Sequence, residues 1–190
     1  MSTDKLSEEE KQTLLSIARE SMQHAVKKEN LSPLELNSMS SMLRANGASF
    51  VTLTIHGDLR GCIGALEPYQ PLALDVREHA IASALDDPRF PPVSPSELDQ
   101  IEIEVSRLTV PERLEYTDAE DLLAKLRPHV DGVILRDGFR RATFLPQVWD
   151  KIPDKADFLD NLCYKMGAPQ NLWGHKHLEV LVYQVEEFHE

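Results

Sequence analysis

Apolar and polar positions alternate along this chain with two periods, one near that of a helix and one of two residues, and the changes between them mark its elements. Ser7-Glu8-Glu9-Glu10 has the form of a capping box, after which Leu14, Leu15, Ala18, Met22, Ala25 and Val26 recur on one helix face. A packing helix is predicted to run to about Lys28, with Lys27 and Lys28 suited to its C-terminal end. Leu34, Leu36, Met39, Met42 and Leu43 follow Ser32-Pro33 and suggest a less regular helix or loop that stops near Asn46-Gly47. Phe50 to His56 then alternate, Gly57-Asp58 supplies a turn, and Leu59-Arg60-Gly61-Cys62-Ile63-Gly64 forms the outgoing strand of a β-hairpin. With only Gly57 and Asp58 in the turn, Ile55 pairs with Arg60 and Leu53 with Cys62. That register places a half-buried Cys62 among Val51, Leu53 and Ile55.

Leu72 to Leu85 is alanine-rich and helical, and the proline-rich stretch from Asp86 to Pro95 cannot continue it. Ile101, Ile103 and Val105 alternate with Glu102, Glu104 and Ser106, the pattern of a half-buried strand. The second half repeats this order. A helix starts at Thr117-Asp118-Ala119-Glu120 and reaches Arg127, a hairpin turns at Asp137-Gly138, a helix spans 155–166, and a last strand spans 178–185. Aligning the two turns matches Arg60 with Arg140 and Cys62 with Ala142.

The fold class expected is therefore α+β: an internally duplicated helix, hairpin, helix and strand unit with a mainly antiparallel sheet, plus an extra N-terminal helix. A solenoid needs more than two repeats. One domain over residues 1–190 is expected, with halves of about 30–110 and 115–190 that are not independent, because no flexible linker separates them. Thr109 to Tyr116 is the one candidate join.

A formal charge of -12 disfavours general binding to nucleic acid or to an anionic membrane, since both need a positive field. No apolar run approaches the ~20 residues of a membrane span. Two cysteines make no disulfide framework, and Met1-Ser2-Thr3-Asp4-Lys5 lacks the features of a signal peptide, so a reducing cytoplasm is expected.

The sharpest chemical pair is Cys62 with Arg60, because a nearby cation favours thiolate over thiol and turns a cysteine into a nucleophile or ligand. A small buried side chain is the alternative role for Cys62. Gly61 and Gly64 beside it let a ligand or another backbone approach the sheet. Arg60 and Arg140 have guanidinium forks suited to carboxylate or phosphate, and in a chain with 32 acidic residues each can equally form an internal salt bridge. Asp86 and Asp87 sit at a helix C-terminus, where carboxylates are disfavoured, so with Arg89 they mark either a functional loop or one locked by an aspartate-to-arginine bond. His175 and His177 could share a strand face, but no third metal ligand has a recognisable spacing. Cys163 falls among Phe158, Leu159 and Leu162 and reads as core. The Walker A, G-x-G-x-x-G, H-E-x-x-H, G-x-S-x-G and paired C-x-x-C motifs are absent.

The chain resembles the AMMECR-type domain family, also called AmmeMemoRadiSam system protein A, across nearly its whole length. The likeness is carried by Leu14 to Glu20, Phe50 to Leu53, the signature Leu59 to Gly64, and Asp86 to Pro92. It continues through Ile101 to Ser106, Gly132 to Leu135 and Thr143 to Trp149. The resemblance implies an α+β fold with internal duplication, and a Memo-like protein and a radical SAM protein as partners. It supplies neither a reaction nor a cofactor. The expectation is an enzyme or enzyme component of a modification pathway, with Cys62 as nucleophile or ligand and Arg60 holding a small anionic ligand. Gly61, Gly64, Asp86, Asp87, Arg89 and Arg140 are the expected ligand-binding residues. A non-catalytic adaptor for the same partners is the alternative, and nucleic-acid binding is disfavoured.

Overall fold

The computed structural model describes residues 5–190. Met1 to Asp4, part of the N-terminal segment read above, lie outside the described residues. The chain forms two compact units, one comprising Met1–Thr109 with Glu186–Glu190 and the other Val110–Val185.

In the first unit, helix α1 (Glu8–Val26) starts as its sequence predicts. The Ser7 hydroxyl accepts from the Glu10 amide and the Glu10 carboxylate accepts from the Ser7 amide. Its face of Leu14, Leu15, Ile17, Ala18, Met22 and Val26 is buried. A 3-10 turn (Leu36–Ser38) and the short α2 (Ser41–Arg44) follow. Asn46 and Gly47 do not end this segment, as expected, but open strand β1 (Asn46–Ile55), which β2 (Asp58–Gly64) and the two-residue β3 (Gln70–Pro71) join. A Cβ on Gly47 would lie 2.8 Å from that of Leu72, so glycine admits the next helix. That helix, α3 (Leu72–Leu85), buries Ala73, Val76, Ala80 and Ala84. Strand β4 (Ile101–Leu108) pairs with β1, and the sheet runs β2-β1-β4-β9 with β9 (Val185–His189). Val51, Leu53, Ile103 and Val105 fill the core of this unit with α1, α3 and Phe188.

The second unit carries a sheet in the order β5-β8-β6-β7, formed by β5 (Glu112–Arg113), β6 (Gly132–Asp137), β7 (Arg140–Phe144) and β8 (Glu179–Tyr183). Helices α4 (Ala119–Lys125), α5 (Lys155–Lys165) and the short α6 (Leu172–His175) accompany it. Its core centres on Trp149, stacked on Phe158 at 3.6 Å between ring centroids, with the indole N–H donating to the Asp131 carbonyl. Cys163 is fully buried there. The expected last strand is two: β8 ends at Tyr183, and after Gln184 the chain continues as β9 in the first sheet. Phe188 entering the first core gives the physical reason, since the segment has apolar partners there.

The two units share a pairing order. In each, the first strand of the hairpin lies between its second strand and the strand that follows the next long helix.

Candidate functional site

The hairpin register differs from the expected one, and the difference decides what Cys62 faces. Ile55 pairs with Asp58, so the turn residues are His56 and Gly57, both with positive φ, the requirement of a type I′ turn. The ladder shifts between Leu53 and Thr54: Thr54 pairs with Leu59 and Leu53 with Gly61, which leaves Arg60 as the extra residue of a β-bulge. Cys62 therefore pairs with Thr52, not Leu53. A one-residue slip moves a side chain to the opposite face. Cys62 lies in a row with Thr52 and its other partner Glu104, away from Val51 and Leu53, and remains half-buried.

The same shift corrects the match between hairpins. In the second, Asp137 pairs with Arg140 and Ile134 with Thr143, so the positional counterpart of Arg140 is Asp58 and that of Cys62 is Thr143. Arg60, being the bulge residue, has none. Arg140 is exposed in the second unit.

On the face opposite Cys62, Gly61 and Ser83 explain how α3 docks. A Cβ on Gly61 would lie 2.0 Å from the Ser83 carbonyl oxygen, so only glycine permits this approach. The Ser83 hydroxyl accepts from the Ile63 amide at 2.8 Å and donates to the Val51 carbonyl at 2.7 Å, bridging the two strands. Gly64 is needed against the Phe50 ring and the Ser49 carbonyl oxygen, each 2.4 Å from where its Cβ would sit.

Along its free edge, β2 is clamped by the loop after α3. The buried Asp87 carboxylate accepts from the Cys62 amide at 2.8 Å, and from the amide, Nε and Nη2 of Arg89. Arg89 Nη2 also donates to the Cys62 carbonyl at 3.2 Å. Both outward main-chain groups of Cys62 are thereby satisfied, which blunts an edge open to pairing. Arg89 beside it holds the Asp87 carboxyl far below the usual carboxylate range, against the opposing effect of burial. Asp86 is the exposed C-cap of α3 and takes no part in the clamp.

Arg60 is held separately. Its Nε and Nη2 donate to the two carboxylate oxygens of Glu97 and its Nη1 to the Pro91 carbonyl. Of the two roles open to Arg60, the structure shows the internal salt bridge. Glu97 also accepts from the Ser94 amide and hydroxyl, and its carboxyl falls to about 2, chiefly through Arg60. The Phe90 ring packs beneath both guanidiniums, 6.0 Å from Arg60 and 5.6 Å from Arg89. Thus Arg60, Gly61, Cys62, Asp87 and Arg89 come together, and the guanidinium bonded to the Cys62 main chain is that of Arg89. The Cys62 sulfur accepts a hydrogen bond from the Thr52 hydroxyl at 3.3 Å.

His175 ends α6 beside Asn171, and His177 stacks on Tyr116 at 4.2 Å, so they do not share a strand face. Among the described residues no group of three or more His, Cys, Asp or Glu side chains is arranged to hold a metal ion. A buried polar network in the first unit escaped the sequence reading. The fully buried Asp75 accepts from the Ser49 hydroxyl at 2.6 Å and lies 3.2 Å from His79 Nδ1, while its Oδ1 has no partner. The available signal was an aspartate and a histidine one helical turn apart beside an apolar face.

These features define a two-unit α+β protein with mainly antiparallel sheets, one edge of which is held by an aspartate–arginine clamp. The chain belongs to the AMMECR1 family, whose model matches residues 15–188. It is similar to a protein of Methanothermobacter thermautotrophicus, 40% identical over 97% of this chain and 96% of that one. A Methanopyrus kandleri protein is 37% identical over 98% and 91% of the two chains. The crystal structure of uncharacterized protein PH0010 from Pyrococcus horikoshii matches with a TM-score of 0.73 at 34% identity, covering 93% of this chain and 89% of that one. Among the described residues, no helix is long and apolar enough to cross a membrane.

Proposed function

We propose that this protein is an enzyme, or a component of one, that acts through the Cys62 thiol in a cytoplasmic modification pathway, with Memo-like and radical SAM proteins as partners. One observation carries the reading: a half-buried thiol receives a hydroxyl hydrogen bond from Thr52, and the pinned Arg89 guanidinium is bonded to the carbonyl of the same residue. The Thr52 hydroxyl fixes the direction of the sulfur, and a thiol so held can attack an electrophile or bind a soft metal. Arg60 serves this site as framework, since Glu97 and the Pro91 carbonyl engage all three of its nitrogens. Both cysteines are free, which fits a reducing compartment.

Alkylation of the native chain by iodoacetamide tests the thiol. Cys62 should react faster than in the urea-unfolded chain at neutral pH, and an equal or slower rate would remove the reading. With purified partners, Cys62→Ser should abolish pathway chemistry and leave partner binding intact. The adaptor reading has its own support in the exposed loop residues Pro88, Arg89, Pro91 and Pro92 together with exposed Leu59. It would be favoured by lost binding on loop substitution while the thiol stays unreactive.

A further inference from the structure

The two arginines near the signature differ in what their guanidiniums have left to give. Each has five N–H donors in a fixed fork. Arg60 engages Nε, Nη1 and Nη2 with Glu97 and the Pro91 carbonyl, and its side chain is only 13% exposed. Arg89 engages Nε with Asp87 and Nη2 with both Asp87 and the Cys62 carbonyl. Its Nη1 has no partner among the described residues, and 54% of its side chain faces solvent. The ion pair with Asp87 thus fixes the fork beside the main chain of the residue that carries the thiol, and leaves Nη1 unspent.

We infer that the site takes an anionic ligand, a small carboxylate or phosphate compound, whose charged group is held by Arg89 Nη1 while its reactive or thiophilic atom meets Cys62 Sγ. The inference rests on the thiol reading above and names the substrate class of that site. Two features support it, and a third says where the preference must arise. A guanidinium already fixed by a carboxylate loses little side-chain freedom when it binds, which favours recognition over a free surface arginine. The hydrogen bonds from Arg89 to the Asp87 carboxylate hold the guanidinium in its charged form. The chain as a whole is acidic, with a formal charge of -12, so preference for an anion here has to come from local contacts and not from the overall field.

A pair of alkylating reagents tests this directly. Iodoacetate and iodoacetamide form the same C–S bond and release the same iodide, with the thiol proton passing to buffer, and differ only in a carboxylate against an amide. The measurement is the ratio of their rate constants at Cys62, located by mass spectrometry, in about 0.15 M NaCl, where charges beyond about 8 Å are screened. In the native chain the iodoacetate-to-iodoacetamide ratio should exceed that of the urea-unfolded chain by about fivefold to tenfold, a modest return for a charge-assisted contact partly open to water. Arg89→Gln should return the ratio to the unfolded value and Arg89→Lys should keep part of it. If Arg89→Gln does not fold, inorganic phosphate added to the wild type takes its place and should lower the ratio.

A native ratio no higher than the unfolded one overturns the anion inference while leaving the thiol reading intact, as does a ratio insensitive to both substitution and phosphate. Should Cys62 resist both reagents, the thiol reading falls instead. The anion site is then judged by the Arg89 Nε–H resonance under phosphate titration, where no displacement overturns it.

Discussion

Replacing Asp87 by asparagine isolates the clamp. Asp87 is 4% exposed, and its carboxylate accepts from four N–H groups, two on each oxygen. Asparagine keeps the shape but has one oxygen, so its amide group must face either the amide and Nε of Arg89 or the Cys62 amide and Arg89 Nη2. In both arrangements a main-chain N–H loses its acceptor, at a cost of about 1–3 kcal/mol, and the charge assistance to Arg89 is lost as well. Because Arg89 can turn to water, the total should stay near the lower end of the ~3–5 kcal/mol typical of breaking a buried pair. About 3 kcal/mol corresponds to a fall in Tm of roughly 6–12 °C for a chain of this size, read by circular dichroism.

Hydrogen exchange adds a local readout, since the Cys62 amide should lose protection. The pH dependence has a definite sign. Arg89 depresses the Asp87 carboxyl in the folded state, so its stabilisation is fully present above the unfolded value near ~3.9 and is lost as pH falls through the folded one. The gap between wild type and Asp87→Asn should therefore hold from neutral pH to about 4.5 and narrow only in stronger acid. An unchanged Tm at neutral pH, or an unchanged Cys62 exchange rate, would refute the clamp.

Gly61→Ala should destabilise by about 3 kcal/mol or more, because the obstacle to its Cβ is main-chain oxygen and α3 would have to move. Gly57→Ala, with nothing within 4 Å but φ at +84, should cost only about 1–2 kcal/mol in denaturant melts, and the reverse order would contradict the docking geometry. For Glu97, whose carboxyl falls from 4.5 to about 2 beside Arg60, stabilisation is present above 4.5 and lost through about 2. Glu97→Gln should thus lose about 2 kcal/mol at neutral pH, with the difference closing in strong acid in urea melts, and equal stability at neutral pH would count against it.

A capping box and helical period made α1 legible, an alanine-rich run did the same for α3, and α3 occupies the predicted residues. The hairpins were legible as hairpins, but not in register. Gly57-Asp58 and His56-Gly57 are both plausible turn pairs, and a bulge at Arg60 has no compositional mark because the residue is held by Glu97, remote in sequence. That single slip reversed the environment expected for Cys62. The closing strand was misread for a related reason: alternation continues through Gln184, yet which sheet receives each part depends on partners far along the chain. Of the candidate residues, Asp87 was singled out by a place at a helix C-terminus that disfavours a carboxylate, and the aspartate-to-arginine lock weighed for that loop is the bond it makes with Arg89. Ser83 gave no such signal, since a serine in an alanine-rich helix looks like another small residue.

The Ser83 bridge also bears on how this protein assembles. Its hydroxyl joins the two strands of the first hairpin through a group that only a docked helix supplies. The hairpin therefore cannot complete itself as an autonomous early nucleus. Its outer strand should settle together with α3, late and cooperatively, so that the signature reaches its final form only after the interior behind it has closed.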